Sequence, residues 1–432
     1  MTPTAAGALG PAGLSPTPGR VAILGAGPTG LDAALACVEA GWACTVYESA
    51  ASVGGNVRAW GHVRMFTPWS MNLSRRMRVH LDAAGIAVPT GADYPTGHEL
   101  VVRLLQPLAT LPPLAGVVRT GTRVLGISRQ GMLKHEHIGT PARSAVPFRL
   151  LLTDGSGGER VEHAELVLDC TGSYPRANAV GDGGIPAPGE RCMADRIVRR
   201  IPDLPTDRDA WAGRVILLVG AGKSAQTAAR DLADLVTAPP GTRLVWAVRQ
   251  QAPDRGEVEA DPLPGRRELV EVAARLRAGK VPGVQVRTGV VVEKVRPVGS
   301  GGEQVAVTLR SGDGRIEDVV ADRVLALTGF LGDTSLYRQL QVHECYATAA
   351  PMNLSAALLA AAGDRPVDCL TQPSLGVDVL RVPEPNFFVL GIKSYGRKPT
   401  FLLHVGYEQV DQVIGAYPAP PSAPGPSEPA VP

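Results

Sequence analysis

Twice along the chain a short apolar run breaks into closely spaced glycines and resumes as an apolar stripe of helical period. The first run, Arg20-Val-Ala-Ile-Leu, meets Gly25-Ala-Gly27-Pro-Thr-Gly30 and continues as LDAALACVEAG. The second, Arg214-Val-Ile-Leu-Leu-Val, meets Gly220-Ala-Gly222-Lys-Ser224-Ala225 and continues as QTAARDLADLV. Short apolar runs bounded by glycine read as buried strands, and spacing of three and four afterwards reads as an amphipathic helix. Each segment therefore predicts strand, tight turn, helix. A further strand follows each, ACTVYE ending at Glu48 and RLVWAVR ending at Arg249. Two later stretches also match one another, residues 148–172 and 305–329. Each shows alternating apolar positions, a Gly-rich hairpin turn, more alternation and an apolar strand closing on Thr171-Gly172 or Thr328-Gly329, the pattern of a β-meander returning to a sheet. The stretch FLLHVGYEQVDQVIGAY near the end has helical spacing again.

Repeating nucleotide motif and closing strand together implies an α/β chain of two Rossmann-like dinucleotide-binding domains. The second is inserted in the first, and each carries a β-meander. The expected layout is a flexible leader over 1–19, a first domain over 20–172 resumed at 326–417, a linker over 173–209, the inserted domain over 210–325 and a Pro-rich tail over 418–432. A length of 432 residues suits two or three domains, and 44% hydrophobic with 19% charged residues is ordinary globular usage. Lys+Arg 43 against Asp+Glu 41 leaves a net charge of +2, without the broad footprint that nucleic acid or an anionic membrane surface requires. No apolar run approaches the roughly 18 residues of a membrane span, and the first twenty residues lack the charged and apolar regions of a secretory signal. The six cysteines, at 37, 44, 170, 192, 345 and 369, form no C-x-x-C pair, so a cytoplasmic setting is expected.

The glycines of the first motif have separate physical uses. Gly25 permits the turn, Gly27 lets a diphosphate approach the backbone, and Gly30 lets helix and strand pack closely. The phosphate then sits at the positive end of the helix. Glu48, ending the next strand, is placed to accept hydrogen bonds from a ribose. In the second motif Ala225 stands where the third glycine would be, as is common at NADP sites, and Gly220, Gly222 and Ser224 line the turn. Arg249 replaces the ribose-binding acid. It either pairs with a 2′-phosphate, favouring NADPH over NADH, or is a solvated surface residue; Arg255 can share the role. Isolated histidines and His135-Glu-His137 give no metal-ligand spacing.

The pair Gly54-Gly55 resembles the second glycine signature of two-dinucleotide-binding flavoproteins, and Thr171-Gly172 and Thr328-Gly329 resemble the strand ends that connect their domains. Between residues 20 and 417 the chain looks like the flavin-containing monooxygenases and the wider, disulfide-reductase-like group. That resemblance implies FAD in the first domain and NADPH in the second. Dithiol members use two thiols at C-x-x-C or C-x4-C spacing, which this chain lacks; Cys37 and Cys44 read as core. The run Asn72-Leu-Ser-Arg-Arg-Met77 is similar to a monooxygenase segment whose asparagine faces the flavin, where its amide would donate to flavin-bound oxygen or to NADP; the alternative is a helix N-cap. Two features depart from the family. Its F-x-G-x-x-x-H fingerprint is replaced by Gly184-Ile-Pro-Ala-Pro-Gly189-Glu190, and a C-terminal Gly-Asp by Gly391-Ile-Lys393-Ser-Tyr395-Gly-Arg397. Lys393 or Arg397 then stabilises a reduced anionic flavin, or the segment is a basic surface loop. Trp60, Phe66, Trp69, Met71, Tyr395 and Phe401 are candidates for apolar walls. The implied activity is an NADPH-dependent FAD monooxygenase that uses O2, through a flavin C4a-hydroperoxide, on a small-molecule substrate with a nucleophilic nitrogen, sulfur or metalloid. The rival is a reductase passing electrons to a quinone, metal ion or protein carrier. A homodimer is common in the group.

Overall fold

The computed structural model describes residues 18–237, 241–251, 261, 263–299, 301–362 and 375–418. The expected leader to residue 17 and tail from residue 419, with Arg255 and Cys369, lie outside the described residues. In chain order the first domain runs β1 (Arg20–Leu24), α1 (Pro28–Glu39), β2 (Ala43–Tyr47), α2 (Trp69–Asn72), α3 (Arg75–Ala83), β3 (Val118–Arg119), β4 (Arg123–Arg129), β5 (Phe148–Thr153), β6 (Glu159–Ala164) and β7 (Leu166–Asp169). The second follows as β8 (Ile197–Val198), β9 (Val215–Val219), α4 (Lys223–Val236), β10 (Arg243–Val248), α5 (Pro264–Arg277), β11 (Val284–Thr288), β12 (Val290–Val298), β13 (Gln304–Ser311), β14 (Ile316–Ala321) and β15 (Arg323–Ala326). The chain then returns to the first domain as β16 (Phe387–Val389) and α6 (Leu403–Gly415).

Each domain is built on a five-stranded parallel sheet, in the orders β16-β7-β1-β2-β3 and β11-β10-β9-β15-β8. Each has an antiparallel meander, β4-β5-β6 and β12-β13-β14. The continuous apolar runs follow from coverage of both sheet faces. In β1, Ile23 joins Leu31, Leu35, Val46 and Val410 in one core, while Ala22 and Leu24 pack with Phe148, Leu150 and Phe387 under the meander. In β9 the same alternation sends Leu218 to Ala229, Trp246 and Leu325, and Leu217 and Val219 to Val305 and Val307.

The structure adds detail that the sequence reading lacked. Both meanders begin one strand earlier than expected, at β4 and at β12. The stretch read as a linker, 173–209, contributes β8 to the second sheet, where Val324 and Leu325 pair with Ile197 and Val198. The two crossings between domains run alongside each other: Ala177 bridges Phe330, Asn178 donates to the Gly329 carbonyl at 2.9 Å, and Leu331 to that of Arg176 at 3.0 Å. His135 and His137 lie in the loop between β4 and β5. Arg266 and Arg267 belong to α5, and Arg266 is buried against Asp261, Nε to Oδ2 at 2.7 Å. Among the described residues no helix is long and apolar enough to cross a membrane.

Candidate functional site

A cleft of about 840 Å³ runs from the β1–α1 turn, past residues 54–67, to the N-terminal turns of α4. It is a crevice at the carboxyl ends of parallel strands, where ligands of open α/β sheets bind. Gly25, with φ +94°, makes the turn; a side chain there would meet the Cys170 carbonyl at 2.8 Å. Gly27 lines the cleft and has open space where a Cβ would point. It is also the N-cap of α1, with no side chain satisfying the first amides of the helix. A cradle of open backbone at an uncapped helix N-terminus fits a diphosphate. Glu48 lines the same wall, 8% exposed, with Oε2 accepting from the Ala26 amide and Oε1 from that of Ala50, both at 2.8 Å. Gly54 is left-handed, donates its amide to the Ala26 carbonyl and, with Gly55, lines the cleft.

Farther along, Asn56 donates to the Thr171 carbonyl at 3.2 Å, and Thr171, Gly172, Leu390 and Gly391 complete this side. Gly391 has φ +70°, and its amide donates to Gln409 of α6 at 2.8 Å. Apolar walls come from Trp60, Met65, Phe66 and Phe401. From the second domain Lys223, Ser224 and Thr227 of α4 reach the cleft. Gly222 caps α4 and, like Gly27, has nothing within 4 Å of a would-be Cβ and no side-chain cap. The turn at Gly220 repeats that at Gly25, with φ +135° and the Leu327 carbonyl 2.2 Å from a would-be Cβ. Thr328 and Gly329 are not on the cleft: the Thr328 hydroxyl donates to the Asn178 carbonyl at 2.8 Å, and Asn178 Nδ2 returns a bond at 3.1 Å. Arg249 is exposed at the end of β10.

Both residues expected to do chemistry are committed elsewhere. Asn72 is fully buried and absent from the cleft lining. Its Nδ2 donates to the carbonyls of Thr67 and Pro68, each at 3.0 Å, and its Oδ1 accepts from the Thr67 hydroxyl at 2.9 Å. It fixes the loop behind the wall, because its amide is satisfied within five residues of itself. The helix cap is Ser74, whose Oγ accepts from the Met77 amide at 3.0 Å, so Asn72 is not the cap either. Lys393 is 3% exposed; its Nζ donates to Asp169 Oδ2 at 2.6 Å, the Asp333 carbonyl at 2.8 Å and Thr171 Oγ1 at 3.1 Å. All three donors are used and its charge is paired, so it clamps the end of β7 to the returning crossing. Arg397 is exposed beside a separate hollow with Arg176 and Glu344. Tyr395, Trp69 and Met71 do not line the cleft, and the first two are core.

Among the described residues Cys170 is the one cysteine on the cleft, and burial pushes its thiol well above the usual range. Cys37 and Cys44 are neighbours, off the cleft. Their mutual hydrogen bond raises the Cys37 thiol and lowers that of Cys44. Sequence reading missed Asp169, Asp333, Tyr174 and Phe330. The last two stack at 4.6 Å across the paired crossings and line the cleft; no local motif announces a partner more than 150 positions away.

A family model described as an NAD(P)-binding Rossmann-like domain matches residues 23–88. No curated protein sequence matches the chain. Among solved structures, the bacillithiol disulfide reductase of Bacillus cereus is 18% identical at a TM-score of 0.63, with 92% of this chain and 97% of that one covered. The fold is that of the two-dinucleotide-binding flavoproteins. A cadaverine monooxygenase of the desferrioxamine pathway from Erwinia amylovora, solved with FAD bound, is 14% identical at 0.60, covering 96% and 99%. A flavin-containing monooxygenase from Stenotrophomonas maltophilia is 17% identical at 0.53, covering 92% and 97%. At these identities the likeness is one of fold, and reductases and monooxygenases share it.

Proposed function

We propose that the cleft holds FAD, that the second domain holds NADPH, and that the protein is an NADPH-dependent monooxygenase of a small nucleophilic nitrogen, sulfur or metalloid. The observation that carries this is one continuous cleft joining the open Gly27 cradle to the first turns of α4. When bound, FAD supplies hydride acceptance from NADPH and activation of oxygen. The chain's own part is to bind and to shield. Gly27 and the amides of α1 receive the diphosphate, Glu48 takes ribose hydroxyls, and Asn56, Thr171, Gly172 and Gly391 border the remainder. Gly220, Gly222, Ser224 and Ala225 receive the second dinucleotide, with Arg249 against its 2′-phosphate. Trp60, Met65 and Phe66 exclude water from the reacting end, which protects an oxygenating site from unproductive release of peroxide. A lone, protonated Cys170 on the cleft does not suit dithiol exchange, which needs two thiols and a thiolate.

A reductase that hands electrons to a quinone, metal ion or protein carrier is the second reading. It is favoured by the burial of Asn72, which removes the expected donor to flavin-bound oxygen. Anaerobic reduction by NADPH followed by mixing with oxygenated buffer separates the two. Oxygenation is expected to give a long-lived species spectrally distinct from oxidised and reduced flavin; direct reoxidation, with probe amines and thioethers left unmodified, selects the reductase.

A further inference from the structure

The charged lining of the cleft is lopsided, and its two acids are already engaged. Glu48 accepts from the Ala26 and Ala50 amides. Asp333 accepts from the Ser335 amide and hydroxyl and pairs with Arg176 at 3.2 Å. A cationic substrate finds no unclaimed carboxylate on this lining. Among the bases, Arg199 is likewise held, by Glu190 at 2.6 Å and the Asn178 carbonyl at 2.9 Å.

Arg64 and Arg200 are different. His62 Nε2 meets the Ile201 carbonyl at 3.0 Å, a contact that ties the loop of the first domain to the end of β8 in the second. Arg64 lies two residues beyond one partner and Arg200 one residue before the other, so the two flank this contact from opposite domains, and both line the cleft. Arg200 stands over the Tyr174 ring, 5.5 Å from its centroid, and Tyr174 stacks on Phe330. Arg64 spends one nitrogen on the Tyr94 carbonyl. Among the described residues neither makes an ion pair. Nor do the two cofactor diphosphates explain them: in the second sheet β8 is two strands from β9 and its glycine turn, roughly 10 Å at ordinary strand spacing, and Arg64 lies in the loop beyond the helix that opens at Gly54-Gly55.

We propose that Arg64 and Arg200 form a carboxylate-recognition site, so that the substrate carries an acidic group besides its oxidisable nitrogen or sulfur. Guanidinium pairs bind carboxylates bidentately, and the Tyr174–Phe330 stack offers an apolar surface for the chain between the two groups. The oxidisable atom in this assignment rests on the monooxygenase reading; the acidic group rests on the lining alone.

The test uses the full-length protein loaded with FAD and titrated anaerobically, reading perturbation of the flavin spectrum. The probes are 6-aminohexanoate against 1,5-diaminopentane, and 3-(methylthio)propanoate against ethyl methyl sulfide. Each acid is expected to bind at least about tenfold more tightly than its uncharged or cationic counterpart, a difference of about 1.4 kcal/mol. Arg64→Gln and Arg200→Gln are each expected to weaken the acids about tenfold more than they weaken ethyl methyl sulfide or NADPH. Equal binding of acid and counterpart overturns the proposal, as does a loss in the variants that falls on NADPH. If NADPH fails to reduce the flavin, the proposed function fails while the titration still decides the carboxylate site.

Discussion

In the first domain α1 leaves no room at its turn for a methyl group. A Cβ on Gly30 would stand 1.9 Å from the Gly25 carbonyl oxygen, whereas the same place in the second domain is filled by Ala225, fully buried. Two residues on, the contrast repeats. Asp32 is fully buried, takes the Ser74 hydroxyl at 2.5 Å and pairs with Arg76 at 3.1 Å, fastening α1 to α3. Its counterpart Thr227 bonds back to the Lys223 carbonyl within its own helix at 3.0 Å. The strand ends differ as well. Thr171 belongs to the buried Lys393–Asp169 clamp, and Thr328 to a neutral exchange with Asn178. One plan is used twice, but at these two matched positions, two residues beyond the turn and at the strand end, the first copy is fastened by charge and the second by neutral hydrogen bonds. Under the function proposed above, the copy with the tighter turn and the buried clamp is the one that holds FAD.

The sharpest way to break the comparison is to exchange the turn residues. Gly30→Ala forces the helix off its strand, and loss of FAD retention with a lowered melting temperature is expected. Ala225→Gly should leave FAD content at the wild-type level. Next, Lys393→Met strands Asp169 without its partner in the interior, at a cost of roughly 3–5 kcal/mol. The double variant Lys393→Met/Asp169→Asn is expected to recover much of that in denaturant melts, and no recovery would remove the clamp from the explanation.

Asp32 gives the first domain a pH signature, and Asp231 on α4 is likewise raised by burial. At Asp32 burial outweighs Arg76 and Ser74 and raises the pKa to about 6. A carboxyl raised on folding binds its proton more tightly in the folded state. Its contribution is therefore fully present below the ordinary aspartate value near 4 and is lost as pH rises through about 6, up to about 3 kcal/mol. Asp32→Asn should flatten this part of the stability profile; an identical slope in the variant would show that another group titrates there. Smaller again, Arg249→Ala should raise KM for NADPH about tenfold relative to that for NADH, about 1.4 kcal/mol, and a parallel rise for both would place the 2′-phosphate elsewhere. The smallest effect is the stability change in Ala225→Gly itself, about 0.5–1 kcal/mol from helix propensity.

Much of this architecture was legible in the chain. Strand, glycine turn and helix are local patterns, and both copies stood out because hydrophobic period and turn chemistry agree within about twenty residues. Gly27 and Glu48 were likewise readable, since the motif fixes their spacing. Asn72 misled because a family segment was matched by residue type, while the direction of its amide depends on how the following turn folds back on Thr67 and Pro68. Lys393 misled for a related reason: its environment is set by Asp169, which lies 224 positions away. The strand within 173–209 was too short to show a period, and only pairing with β15 makes it a strand.

The sequence by itself determined the α/β plan of one domain inserted in another and the glycine turns that follow β1 and β9. Those depend on backbone conformation and apolar periodicity, which neighbouring residues dictate. Tertiary structure decided which charges are spent and which are left facing the cleft. Lys393 and Asp169 neutralise one another, Asn72 satisfies its own loop, and Arg64 and Arg200 flank a contact between domains. An ionisable side chain acts through what stands within a few ångströms of it, and in this fold those neighbours come from distant parts of the chain.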